Sequence, residues 1–233
     1  MARYGAWVPR ILPSLEIEGE LRREGAQVIA GVDEVGRGAW AGPVSVGVVV
    51  IDDLERQVPT GVCDSKMLTR PQRTALVPAI ESWAAAWGIG HASARECDVL
   101  GMRGAIAVAT SRAIEASGLV PDAIICDGPL DLLGAETLEV AALTAEHAWR
   151  RARAPKVRAV VKGDQHCASV AAASILAKVA RDDLMVELGV PAEFGFESNA
   201  GYPAPKHLQA LEHFGLTEFH RQSWSFAERY RKA

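Results

Sequence analysis

Three short, largely apolar runs in this chain, near residues 28–32, 123–126 and 157–161, each stop at an aspartate or within three residues of one: Asp33, Asp127 and Asp164. The first is the sharpest. Residues 28–32 are apolar and rich in β-branched side chains, as a buried strand requires, and they run into Asp33-Glu34-Val35-Gly36-Arg37-Gly38. The two glycines permit backbone conformations that other residues resist. An ionised carboxylate beside a core strand is costly unless it is solvated, hydrogen-bonded or bound to a cation. The pattern therefore points to a metal-dependent site on the edge of a sheet.

Around these runs the chain alternates between strand and helix patterns. A helical segment is predicted over residues 11–24, strands over 28–32, 44–51 and 87–92, a helix over 98–117, a strand over 123–126, a helix over 135–151 and a strand over 157–161. This β-β-β-α-β-α-β order predicts an α/β fold whose mixed sheet starts antiparallel and continues through crossover helices. The remainder reads as a long alanine-rich helix over 168–188, a glycine- and proline-punctuated loop over 189–203, and a helix over 205–214 that opens with proline. No internal repeat or low-complexity segment interrupts it.

If the first, fourth and last strands are parallel and adjacent, their C-terminal ends deliver Asp33, Asp127 and Asp164 to one rim, where open α/β sheets place their sites. Glu34 is the fourth candidate. Neighbouring strand residues face opposite sides, so Asp33 and Glu34 share a site only if the chain bends there. Four clustered carboxylates repel one another, and a divalent cation relieves that repulsion. Ligands that are all oxygen favour Mg²⁺ or Mn²⁺ over zinc. Each residue also has a plainer reading: Asp127-Gly128-Pro129 as a turn, and Asp164 as the cap of the following helix. Gly36 and Gly38 do not open a dinucleotide-binding loop, because the next glycine is Gly42 and the G-x-G-x-x-G spacing fails.

The net charge of -4 hides an asymmetry: residues 1–147 hold 12 basic and 20 acidic side chains, whereas residues 148–233 hold 13 and 9. A basic C-terminal third suits a phosphate backbone, and equally suits an unevenly charged solvated surface. No run approaches the roughly 20 apolar residues of a membrane span, and the N-terminus lacks a signal-peptide core, so a cytoplasmic protein is expected. The four cysteines, Cys63, Cys97, Cys126 and Cys167, are too widely spaced for a zinc half-site and read as reduced, mostly buried thiols.

At the level of motifs the chain resembles the ribonuclease HII family, the type 2 ribonucleases H. The matching segments are Gly31 to Gly38 with Ala41-Gly42-Pro43, Asp64-Ser65-Lys66, Cys126-Asp127-Gly128, Lys162-Gly163-Asp164, Ala171 to Val179 with Arg181-Asp182, Gly201-Tyr202-Pro203, and His220-Arg221 with Ser223. They occur in the family's order. The resemblance implies an RNase H-like mixed sheet with flanking helices and a helical C-terminal segment. Residues 1–27 are expected to form an N-terminal helical extension, 28–188 the RNase H-like catalytic domain, and 189–233 a C-terminal loop and helical substrate-binding segment. It further implies hydrolysis of RNA in RNA/DNA hybrids and incision 5′ to single ribonucleotides in duplex DNA, leaving 3′-hydroxyl and 5′-phosphate ends. Asp33, Glu34, Asp127 and Asp164 match the family's metal-binding carboxylates, and two cations would stabilise the attacking and leaving oxygens. A monomer is expected, with a sliding clamp as a candidate partner.

By the same resemblance, Gly36, Arg37, Gly38 and Tyr202 sense the 2′-hydroxyl that marks a ribonucleotide, Ser65 and Lys66 contact phosphate, and Arg221, Lys162 and Lys178 are further basic candidates. Asp182 is assigned a structural role. The chain departs from the family at Glu197-Ser198-Asn199-Ala200, where a Lys or His is usual, at Gly101, where an asparagine is common, and at Trp40, which is unusually large. Two alternatives stand beside this reading. A type 3 ribonuclease H shares the chemistry but normally carries an extra N-terminal domain, for which about 27 residues are too few. A non-catalytic hybrid-binding protein or clamp-associated scaffold would gain nothing from four carboxylates facing phosphates.

Overall fold

The computed structural model describes residues 12–128, 155–188 and 190–231, so the helix expected over residues 135–151 lies outside the described residues. A five-stranded sheet forms the centre, built from β1 (Ile29–Val35), β2 (Val44–Ile51), β3 (Ala86–Ala92), β4 (Ala123–Asp127) and β5 (Lys156–Val160) in the order β3-β2-β1-β4-β5. β1, β2 and β3 pair antiparallel, while β1, β4 and β5 run parallel and adjacent. The sheet is thus the mixed sheet the pattern predicts.

Helices cover both faces. Val44, Val46, Val48 and Val50 of β2 pack with Ile106, Ala109, Ala113 and Ile114 of α3 (Ala94–Ser117). The alternate residues Val49 and Ile51 face α2 (Arg70–Trp83) and the alanine-rich α5 (Ala168–Glu187). Small residues let these helices lie directly on the strands. A Cβ on Gly31 would stand 2.3 Å from the Ser169 backbone, and one on Gly47 would stand 2.4 Å from the Ala173 carbonyl oxygen. That close approach fixes the height of α5 over β1, and so brings Ser174 beside Asp33.

The N-terminal helix α1 (Glu16–Arg23) anchors the start of α5. Leu21 is buried against Ile29, Ile125 and Val170, and the buried Glu18 carboxylate accepts hydrogen bonds from the Ser169 amide (3.0 Å) and hydroxyl (2.6 Å). An acceptor at the start of a helix satisfies an amide that has no intrahelical partner.

Several boundaries differ from the expected ones. β1 runs through Asp33 and Glu34 to Val35, in register with Gly47, Val46 and Ser45 of β2. The backbone pairing carries the strand three residues past the apolar run. Helix α2 has no counterpart in the expected pattern because Pro78 lies inside it and masks its periodicity. Its entry is stabilised by Gln72, whose side chain accepts from the Thr69 amide (2.8 Å) and hydroxyl (2.9 Å). Helix α3 begins four residues earlier than expected, at a Ser93/Glu96 capping box, and is kinked at Gly101, whose φ is +66°. The expected loop over 189–203 contains the short helix α6 (Phe196–Asn199), which precedes α7 (Pro205–Phe214) and α8 (Ala227–Tyr230). All four cysteines are buried and unbridged. Among the described residues no helix is long and apolar enough to cross a membrane.

Candidate active site

The parallel β1, β4 and β5 bring Asp33, Glu34 and Asp127 to one rim, and Asp164 joins them from α4 (Gly163–His166), the short turn of helix after β5. Asp164 neither ends the strand nor caps α5. Gly163 folds back so that its amide donates to Asp127 Oδ1 at 2.7 Å, which ties the two segments together. Lys162 takes a left-handed conformation, φ +57°, to make that reversal.

The chain does not bend between Asp33 and Glu34. Asp33 faces α5 and is 7% exposed, whereas Glu34, on the opposite face, lies 3.6 Å from Arg37. The turn comes one residue later, at Gly36, with φ +87°. Among the described residues no three carboxylate, histidine or cysteine side chains stand close enough to hold one ion as they are. Each carboxylate has a local partner instead. Asp164 pairs with Lys66 Nζ at 3.2 Å, Glu34 faces Arg37, and Asp127 accepts from Gly163.

The electrostatics are those of crowded, desolvated acids. Burial, reinforced by Glu34, Asp127 and Asp164, pushes the Asp33 carboxyl up to about 7, against a hydrogen bond from Ser174. Burial also raises Glu34 and Asp164, with Arg37 and Lys66 respectively opposing the shift. Such a set binds protons or cations to relieve its charge.

A cleft of about 280 Å³ opens beside Asp33 and Glu34, lined also by Gly36, Arg37, Lys66 and Tyr202. Tyr202 is about one third exposed, and a Cβ on Gly38 would stand 3.7 Å from its ring. The 36–38 turn and Tyr202 therefore share one wall. A larger cavity, about 790 Å³, lies elsewhere, near His91, Glu96 and Arg112. Three of its charged groups are engaged: Arg112 binds Glu96 and the His91 carbonyl, and Asp98 accepts from the amides of Gln222 and Ser223.

Two expected substrate contacts take other positions. Arg221 is fully buried and donates to the carbonyls of Arg37 (2.8 Å), Gly36 (2.6 Å) and Gly42 (3.3 Å). It cannot reach a phosphate; it shapes the turn from beneath. Because a trans peptide points its N–H opposite its C=O, drawing the Gly36 and Arg37 carbonyls inward turns the Arg37 and Gly38 amides away from Arg221. Ser65 is likewise buried, its hydroxyl 2.8 Å from that of Ser174. Ser174 in turn lies beside Asp33 and favours its charged form, so Ser65 stands behind the carboxylate and does not face a phosphate.

Sequence reasoning gave no role to the other buried arginines. Arg181 donates to the carbonyls of Pro43 (2.8 Å), Ala200 (2.9 Å) and Ala41 (3.1 Å), joining the turn region to the segment that carries Tyr202. Arg73 donates to the Ser65 and Leu68 carbonyls and so holds the Lys66 turn, while Asp182 bridges Arg73 and Lys178. Their proximity to matching motifs was the available signal. Trp40 packs away from the cleft, stacked on Phe226 at 4.0 Å, and Asn199 is turned inward to the Phe194 carbonyl at 2.7 Å.

Comparison with known proteins places this arrangement. A family model described as Ribonuclease HII matches residues 30–227. The ribonuclease HII of Streptomyces avermitilis is 47% identical over 218 residues, covering 93% of this chain and 85% of the relative. Among solved structures, the ribonuclease H2 of Pyrococcus horikoshii OT3 is 29% identical with a TM-score of 0.67, covering 88% of this chain and all of that one. The RNase HII of Archaeoglobus fulgidus, solved in a complex with PCNA, is 25% identical with a TM-score of 0.65, covering 88% and 97%.

Proposed function

The chain belongs to the ribonuclease HII family, hydrolytic endoribonucleases that act on RNA/DNA hybrids, and on that premise we propose that it also incises duplex DNA 5′ to single ribonucleotides. The observation that carries the reading is the convergence of Asp33, Glu34, Asp127 and Asp164 on one rim, beside a turn whose Arg37 and Gly38 amides face away from the buried Arg221.

The four carboxylates fit divalent cations by their chemistry: the donors are all oxygen, and desolvation leaves Asp33, Glu34 and Asp164 with raised pKa values that a cation would relieve. Asp33, Glu34, Asp127 and Asp164 would hold two Mg²⁺ or Mn²⁺ ions, which would supply positive charge near the attacking water and the leaving 3′ oxygen. Lys66, now against Asp164, is free to turn toward phosphate, since its side chain is 76% exposed. The Arg37 and Gly38 amides offer donors to a 2′-hydroxyl, and Tyr202 offers a ring face and a hydroxyl. Products with 3′-hydroxyl and 5′-phosphate ends follow from water attack at phosphorus with the P–O3′ bond broken and the 3′ oxygen leaving. The buried, unbridged cysteines support a reducing, cytoplasmic setting. The complex formed by the Archaeoglobus relative supports a sliding clamp as partner.

The test is incision of a duplex containing one ribonucleotide, beside an all-DNA duplex and a long RNA/DNA hybrid, with Mg²⁺ or Mn²⁺ and then with chelator. Metal-dependent cutting 5′ to the ribonucleotide is expected, and none in the presence of chelator; cutting confined to the long hybrid would refute the embedded-ribonucleotide reading. Tyr202→Ala should cost the embedded substrate about 10- to 100-fold in kcat/KM, and the long hybrid distinctly less. Equal losses on both would remove Tyr202 from ribose sensing.

A further inference from the structure

Beneath Tyr202 lies a pair of histidines that the chemistry above does not use. His207 and His220 are 0% and 1% exposed, and their Nε2 atoms stand 3.0 Å apart. The outer nitrogen of each has a partner whose role is unambiguous. His207 Nδ1 is 2.9 Å from the Tyr202 carbonyl oxygen, which can only accept. His220 Nδ1 is 3.0 Å from the Thr217 amide, which can only donate, and 2.8 Å from the Thr217 hydroxyl, which can donate to it as well. Two neutral rings satisfy these bonds in one way: His207 carries its proton on Nδ1, and His220 carries its proton on Nε2 and donates it to His207 Nε2. Burial lowers the pKa of both, His220 to about 4, with the neighbouring imidazole adding to the effect. Both rings are therefore neutral at working pH.

We propose that His207 and His220 form a directional hydrogen-bond relay, from the Thr217 amide to the Tyr202 carbonyl, that positions Tyr202 for ribose discrimination. The proposal rests on the reading of Tyr202 given above. The chain enters Tyr202 through two left-handed residues, Ala200 and Gly201, φ +48° and +78°. Their carbonyls are held by Arg181 and by the Trp40 and Ala41 amides, and the relay holds the next one, that of Tyr202. The relay pulls the Tyr202 carbonyl inward, where it also accepts from the Ala204 amide at 2.8 Å. The Tyr202 ring is thereby held outward over Gly38. The far end of the relay lies in the segment that braces the turn itself, since the Gly42 amide donates to the Phe219 carbonyl and the Arg221 amide to that of Trp40. Both walls of the ribose-sensing surface are thus tied to one buried element.

The rings sit among aromatics, with Phe196 edge-on to His207 at 5.2 Å and Phe194 at 6.0 Å, so His207→Phe keeps the packing and removes the donor. His207→Asn places an amide nitrogen where Nδ1 stood and keeps it. Imidazole ¹⁵N spectra of the wild-type protein should show two neutral rings, His207 protonated at Nδ1 and His220 at Nε2. His207→Phe should lower the ratio of kcat/KM for the embedded ribonucleotide over the long hybrid about tenfold, and His207→Asn should restore part of it. The opposite tautomers, or an unchanged ratio in His207→Phe where Tyr202→Ala changes it, would overturn the relay. If Tyr202→Ala leaves the ratio unchanged, the reading of Tyr202 has failed and with it the purpose of the relay, while the spectra still report whether the relay exists.

Discussion

Asp33→Asn is expected to leave a folded protein that binds hybrid and cuts neither substrate. The substitution keeps the shape of the side chain and removes the charge that a cation would need, so the loss falls on the chemical step. Losing about 10³-fold or more corresponds to roughly 4 kcal/mol of transition-state stabilisation, which is within what charge stabilisation by a bound metal supplies. Folding should not suffer. Burial pushes the Asp33 carboxyl up to about 7. A carboxyl with a higher pKa in the folded chain favours folding at low pH, and that advantage is lost as pH rises from the unfolded value of about 3.9 toward 7. Without metal at pH 8, Asp33→Asn is therefore expected to melt no lower than the wild type. Single-turnover incision, hybrid binding and thermal melting check the three parts. Turnover within about threefold of normal would contradict the assignment of Asp33.

Gly36→Ala should damage the scaffold as well as the activity. With φ at +87°, Gly36 occupies a region that side chains avoid, and a Cβ there would stand 2.1 Å from Arg181 Nε and 2.8 Å from the Pro43 carbonyl oxygen. Arg181 cannot swing aside, because it is fully buried and bonded to three carbonyls. Strain and overpacking together should cost about 3 kcal/mol. In a protein of this size that lowers the melting temperature by roughly 6–12 °C. Gly38→Ala is the informative contrast: its Cβ would meet only the Tyr202 ring, at 3.7 Å. Stability should survive there, while cleavage at the embedded ribonucleotide falls, because the methyl group projects into the wall assigned to the ribose. Equal melting temperatures for the two variants would refute this account of the turn.

The strand pattern was legible because it is local. Valine-rich β2 and the short β4 announce themselves by composition, and the order of strands and helices restricts the topology to the mixed sheet that is found. Helix α2 was not legible, since Pro78 breaks the period that would have revealed it. The carboxylates were legible as a repeated placement at strand ends, and their delivery to one rim followed once the parallel order β1-β4-β5 was assumed. The direction of their side chains was not. Asp33 and Glu34 share a rim without a bend, because β1 stays paired with β2 through Val35.

By itself, the sequence determined the order of the strands, the family and the residues whose chemistry suits the rim, because residue type and spacing are properties of the chain alone. Only the tertiary structure decided what the long polar side chains do. Arg221 is basic, lies in a basic third of the chain, and reads as a phosphate contact until burial surrounds it with carbonyls. Ser65, also read as a phosphate contact, changed meaning in the same way, and Arg181 and the His207–His220 pair gained a role only in the fold. A hydrogen bond depends on which donor and acceptor are brought within about 3 Å, and partners up to 185 positions apart in the chain are paired only by the fold.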